Sequence, residues 1–308
     1  MKYLSKFKNI ISTVMVFGFL LTFPIIASAN VSYVGPEGSY SNEAARAFFE
    51  NTEFLTPAEN IESVITDIVT SKSTHGVIPI ESSMTGVNFT NMDTVLNDYR
   101  IVITREINVT VTQAVLGYGN AELSNIKVLY ATGNFIKQHE QWLKVNLPNA
   151  RVQVIDNPAQ GAKFVFEAKN PSVAAIASLH AASMYNLNVL NNNIQAVRPE
   201  VIKFWVIAPQ NRVETRGIKT SIFVSGPAPK LSKFLEQIAN QPLELISIQS
   251  RPVKGTLNKY KYYIELEVTD KREKRDKKDI LSYLSTVEQN SKDFSIRLIG
   301  IYDVTANS

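Results

Sequence analysis

Lys203 stands in the middle of EVIKFWVI (200 to 207), a run of β-branched and aromatic residues that reads as a buried strand. A cation there is costly unless something pairs with it. Three readings stand side by side: an ammonium that snorkels from an edge strand to water, one that meets an acidic ligand, and the remnant of a site that no longer works. Other groups able to do chemistry fall in short clusters. Ser39 and Ser41 lie in GPEGSYS (35 to 41), Glu81, Ser82 and Ser83 follow the apolar GVIPI (76 to 80), and Ser250 and Arg251 precede Pro252 in QSRP. Each also has a plain structural reading. Serine hydroxyls cap helices, Glu81 and Ser83 tie the turn after a strand, and Ser-Arg-Pro ends a strand.

Metal and thiol chemistry find little support. The chain has no cysteine, which excludes a thiolate nucleophile, a cysteine metal site and a disulfide framework. Its three histidines, His75, His139 and His180, show neither HxH nor HxxxH spacing. No metal and no cofactor are expected.

The elements that must position these groups occupy a chain of 308 residues with 44% hydrophobic content, enough for two or three domains with real cores. The first 29 residues differ in kind. Lys2, Lys6 and Lys8 precede an apolar run from Ile10 to Ile26, and Ala27-Ser28-Ala29 ends it in the small-x-small pattern that a signal peptidase reads. Residues 1 to 29 are therefore expected to be a signal peptide, and the mature protein to be exported, periplasmic or secreted, with no membrane association afterwards. The alternative is an uncleaved anchor. The formal charge is +4, and the three leader lysines account for most of it, so charge gives no case for nucleic acid.

After Asn30 strands alternate with helices. VSYVG, GVIPI, RIVITREINVTV, IKVLY and VQVI read as strands, with helices after Ser41 and around 58 to 71, 134 to 145 and 158 to 168. The run 172 to 187 opens as a buried strand and continues as an alanine-rich helix. This alternation predicts an α/β architecture over residues 30 to 209. PQNRVETRG makes 210 to 217 a linker. Residues 218 to 305 then read strand, helix, strand, strand, helix, strand, the order of the ferredoxin-like split βαβ fold. Within that unit the charge run DKREKRDKK (270 to 278) reads as a solvated loop and helix start.

Four stretches carry a resemblance together: VSYVGPEGSYSNEAA (31 to 45), GVIPIESSMTGVNFTNMDTVL (76 to 96), IQAVRPEVIKFWVI (194 to 207), and KTSIFV with LISIQSRP. They fall in the order and spacing of prephenate dehydratases with a C-terminal ACT domain. The resemblance implies a two-lobed domain like a type 2 periplasmic binding protein, followed by a βαββαβ ACT domain. It implies removal of water and carbon dioxide from prephenate, without a cofactor, in a cleft between the lobes. It also implies phenylalanine at the ACT domain and a homo-oligomer formed through ACT domains.

Carried over position by position, the resemblance makes Ser39, Glu81, Ser82, Ser83, Gly86 and Lys203 substrate-binding, and puts Ile202, Lys203 and Phe204 at the family's catalytic Thr-Arg-Phe motif. Ile202 replaces the threonine hydroxyl, and an aliphatic chain neither donates nor relays a proton. Lys203 keeps a charge and loses the planar fork of arginine. Glu200 and Ser82 stand where the family has asparagine, Ala196 where it has aspartate, and Gln113 where it has histidine. Leu231, Ser250, Arg251 and Pro252 match ACT ligand positions. Pro229-Lys230 replaces the Gly-Ala pair that lets backbone approach the amino acid, so phenylalanine binding is expected to be weak. Three functions follow: a dehydratase with a variant site, an exported protein that binds or senses a small organic acid or amino acid in the cleft, and a partner-binding module.

Overall fold

The computed structural model describes residues 30–307 except 50–53, 193, 195–198, 257–258 and 270–274. The expected leader and Ala196 lie outside the described residues. Among those described, no helix is long and apolar enough to cross a membrane.

The first lobe is built from β1 (Val31–Val34), α1 (Tyr40–Phe48), β2 (Leu55–Ala58), α2 (Ile61–Val69), β3 (His75–Ser82), β4 (Gly86–Val87), α3 (Phe89–Asn97) and β5 (Ile101–Thr110). Local sequence explains the helices. In α2 the residues Ile61, Val64, Ile65 and Ile68 recur at helical spacing and all four are buried, while Asn60 caps the start by accepting from Ser63 N at 2.9 Å. Ser39 caps α1 in the same way.

The chain then crosses to a second lobe: β6 (Ala114–Gly117), β7 (Val128–Thr132), α4 (Gly133–Gln138), α5 (Glu140–Asn146), β8 (Arg151–Ile155), α6 (Pro158–Ala168), β9 (Val173–Ala177), α7 (Leu179–Met184) and β10 (Asn188–Asn191). Its five strands run in the order β10-β6-β9-β7-β8. The chain returns as β11 (Val201–Pro209), which inserts antiparallel between β3 and β5. Strand β11 is sealed on both faces, and Phe204 to Ala208 are all buried. Two lobes joined by two crossings are what the type 2 periplasmic-binding-protein arrangement requires.

The C-terminal unit follows as β12 (Arg216–Gly217), β13 (Lys219–Ser225), α8 (Leu231–Ala239), β14 (Leu243–Pro252), β15 (Tyr260–Val268), β16 (Arg275–Asp276), α9 (Lys277–Asn290) and β17 (Ser295–Asn307). Its main strands lie in the order β14-β15-β13-β17, every neighbouring pair antiparallel, which is the ferredoxin-like arrangement. The segment read as a linker is not bare coil, because Arg216–Gly217 pairs with Arg275–Asp276.

The two units share one sheet. Strand β17 pairs in parallel with β5, from Gly300 opposite Ile103 to Asn307 opposite Val109, so ten strands form a single sheet. Gly300 permits this approach, since a Cβ there would lie 2.2 Å from the Ile103 carbonyl oxygen. The core is shared as well. Phe223, Tyr263, Ile299 and Tyr302 of the C-terminal unit belong to the same apolar cluster as Ile78, Ile103 and Trp205 of the first lobe.

Candidate active site

Strand alternation sends neighbouring residues of β11 to opposite faces. Ile202 and Phe204 pack on the α1 side, with Tyr33, Ala44, Ala45 and Tyr40. Lys203 goes the other way, toward the C-terminal unit. Its Nζ lies 3.0 Å from Glu81 Oε2 and 3.3 Å from Glu265 Oε2, and Glu265 is 2% exposed. Burial works against the lysine charge, but Glu265, Glu106 and Glu81 outweigh it and hold the ammonium protonated well above the ordinary lysine range. The sequence reading, in which Lys203 and Glu81 contact a ligand, is therefore corrected. The two are partners of each other, and Lys203 already carries its counter-charge. Lys203 is neither an edge lysine reaching water nor a free cation.

Around this pair the buried polar groups form a continuous set. Tyr263 hydroxyl donates to Glu265 Oε1 at 2.8 Å, and Ser221 links Tyr263 and Tyr302 at 2.9 and 2.6 Å. Lys219 reaches both oxygens of Glu106, at 3.0 and 2.9 Å. Burial pushes the Tyr263 and Tyr302 phenols well up, so both stay neutral hydroxyls.

The α1 side holds the corner where four segments meet: the start of α1, the β3–β4 loop, the crossing from β5 to β6, and the start of β11. Ser83 N donates to Val201 O and Val201 N donates to Ser83 Oγ, both at 2.9 Å. Ser82 Oγ accepts from Met84 N and Thr85 N, so its single hydrogen goes to Glu200 Oε1. The family's two asparagine positions are thus occupied here by a serine and a glutamate that bond to each other. Gly86 has φ +78 with open space where a Cβ would point, and pairs with Ser82 at the turn of the loop. Ser39 is buried and committed to its helix, accepting from Asn42 N at 3.2 Å and donating to Val34 O at 3.3 Å.

Several groups at this corner gave no sequence signal. Tyr40 hydroxyl donates to Thr112 O at 2.7 Å, which joins α1 to the crossing between the lobes. One turn along, Glu43 has a buried oxygen, Oε2, without a partner, and burial raises its carboxyl above the ordinary glutamate range. Asn42 links the lobes directly, because its Oδ1 accepts from Gly38 N at 3.2 Å and lies 2.9 Å from His180 Nε2 on α7. Since Oδ1 must be the acceptor for Gly38, the His180 ring is the Nε2-H tautomer. Tyr185 hydroxyl adds a second tie, to Glu37 O at 2.9 Å. Beside it lies an open cavity of about 520 Å³ lined by Gly35, Glu37, Glu59, Gln160, Lys163 and Tyr185.

The expected ACT ligand residues do not converge. Arg251 turns to the first lobe, its Nε and NH2 each 2.7 Å from a carboxylate oxygen of Asp93 on α3, with Phe89 under the guanidinium at 4.1 Å. Ser250 and Pro252 are exposed on edge strand β14, and Leu231 opens α8 and packs on the C-terminal core. Arg251 is thus a docking residue, a correction to its reading as a ligand contact. Among the described residues no three acidic or histidine side chains converge on a metal position.

These features define a two-lobed α/β protein of the periplasmic-binding-protein type, with its site at the crossing strands and a ferredoxin-like unit fused to the first lobe's sheet. The prephenate dehydratase family model matches residues 31–212, and the chain belongs to that family. A bifunctional chorismate mutase/prephenate dehydratase of Aquifex aeolicus is 30% identical over 249 residues, 80% of this chain and 68% of that one. A prephenate dehydratase of Lactococcus lactis subsp. lactis is 25% identical over 280 residues, 89% of this chain and 97% of that one. Among solved structures, the prephenate dehydratase of Arthrobacter aurescens in complex with L-Phe superposes with a TM-score of 0.74 at 24% identity, covering 89% of this chain and 90% of that one, a likeness of fold.

Proposed function

We propose that this prephenate dehydratase-like protein is exported, takes an organic diacid such as prephenate in the cleft, and turns it over slowly. The observation that carries the reading is Ile202. At the position of the family's threonine, its side chain packs with Phe204 and Tyr40 in an apolar cluster and offers no hydroxyl to a leaving oxygen. Ser82 bonded to Glu200 supports it further, because a carboxylate now stands at the edge of the site where a dianion would have to come.

The test is phenylpyruvate formation from prephenate by the chain beginning at Asn30, alongside Ile202→Thr. A positioned proton donor is typically worth about 100-fold to 10,000-fold in rate, so restoring the hydroxyl is expected to raise turnover by an amount in that range. Turnover by the unmodified chain equal to that of Ile202→Thr overturns the reading. Export is tested separately, by the mass of native material. An intact N-terminus sinks it.

A further inference from the structure

We propose that Glu43 is the proton donor of the cleft, the carboxylic acid that touches the leaving oxygen of the substrate in place of the hydroxyl missing at Ile202. The inference rests on the cleft reading given above and names the group that serves it.

Position comes first. Glu43 lies three residues after Tyr40 in α1, and residues at that spacing share one face of a helix. That face looks onto the crossing strands, since Tyr40 reaches Thr112 O and covers the cluster that holds Ile202 and Phe204. Glu200, hydrogen-bonded to Ser82 at the start of β11, bears electrostatically on the Tyr40 phenol together with Glu43. The carboxyl of Glu43 therefore sits in the same corner as Tyr40, Ser82, Glu200 and Ile202.

Its state comes second. The Oε2 atom is buried and has no partner, an arrangement that is costly for a carboxylate and cheaper for a neutral acid. Burial raises its proton affinity accordingly. A first-turn glutamate usually gains from the helix N-terminus as an anion, so the missing partner is what tips this one toward the acid form. An acid kept protonated beside a group that needs a proton is the arrangement general acid catalysis demands.

The step balances. The Glu43 O–H proton moves to the ring hydroxyl of prephenate, the carbon–oxygen bond breaks and water leaves. The electron pair of the bond to the ring carboxylate flows into the ring, which becomes aromatic as carbon dioxide departs. Glu43 remains as carboxylate and is reprotonated from solvent. One proton is consumed and no oxidant or reductant enters.

The test uses the full mature chain with glutamate carboxyls labelled for NMR and phenylpyruvate as the probe, together with turnover of prephenate. Addition of phenylpyruvate is expected to move the Glu43 resonance, identified by its loss in Glu43→Gln. Turnover is expected to fall at least tenfold in kcat in Glu43→Gln, with KM changed less than twofold. Glu43→Asp, which only retracts the acid, should retain part of the rate and guards against misfolding of the glutamine variant. A ligand that moves Tyr40 and leaves Glu43 still overturns the proposal alone, as does a Glu43→Gln rate within twofold of the parent. Phenylpyruvate that moves neither resonance overturns the cleft reading, and the role of Glu43 with it.

Discussion

Lys203 and Glu265, 62 positions apart, meet at 3.3 Å where the first lobe and the C-terminal unit share a core. Removing one partner of a buried pair leaves an uncompensated charge, which costs more than the pair contributes. Lys203→Met is therefore expected to lower stability by about 3 to 5 kcal/mol, read from urea unfolding. Lys203→Met with Glu265→Leu should recover most of that loss. A single variant as stable as the parent would show that Glu81 and water suffice.

Arg251 holds Asp93 with two parallel bonds, so its guanidinium is committed to α3. The turn at Ala228–Lys230 carries Pro229 where backbone approach to an amino acid needs glycine. Calorimetry with L-phenylalanine is expected to show weak binding or none. Tight, stereospecific uptake would mean that Arg251 exchanges Asp93 for the ligand.

Gly300 faces the Ile103 carbonyl across the β5–β17 junction, and backbone cannot yield as a side-chain tip does. Gly300→Ala should lower stability by roughly 1 to 3 kcal/mol, the usual range for overpacking, with loss concentrated in this ladder. Amide hydrogen exchange in β5 and β17 checks it.

His75 packs against Phe49 with ring centroids 5.2 Å apart, and burial, helped by Arg212, lowers its imidazole to about 4. In the unfolded chain it titrates near 6.5, so below that pH the unfolded state takes up a proton that the native state refuses. Stability present above pH 6.5 should decline as pH falls toward 4, on the order of 2 kcal/mol from this group. His75→Gln should flatten that slope between pH 7 and 5. Parallel slopes for the two proteins would show that carboxylates alone set the acid response.

Much of the architecture was legible in the chain. The βαββαβ order after residue 217 was visible because its strands alternate at period two and its helices carry clear apolar stripes, as in Phe234 and Ile238 of α8. Elements with few apolar residues were not. β2 is LTPA with a proline inside it, and the Met92, Val95 and Leu96 stripe of α3 is diluted by threonine, asparagine and aspartate.

The site divided along a similar line. Ile202 could be read as a lost hydroxyl from its position alone, whereas the partners of Lys203 could not be read, because Glu265 approaches from another unit and sequence distance carries no trace of it. Arg251 was misjudged for the same reason, since Asp93 lies 158 positions away. Glu43 looked like an ordinary first-turn acid. Only the absence of a partner for its buried oxygen sets it apart, and that is a property of packing.

The run of hydrogen bonds from β5 into β17 has a consequence for how this chain can be taken apart. A fragment ending near residue 217 would present β5 as a raw strand margin, ten residues of unpaired amides and carbonyls flanked by Ile103, Ile107 and Val109. Such a margin invites pairing with a second copy of itself. The last strand made is therefore the one that finishes the first lobe, and the C-terminal unit serves as a built-in chaperone for the domain that precedes it.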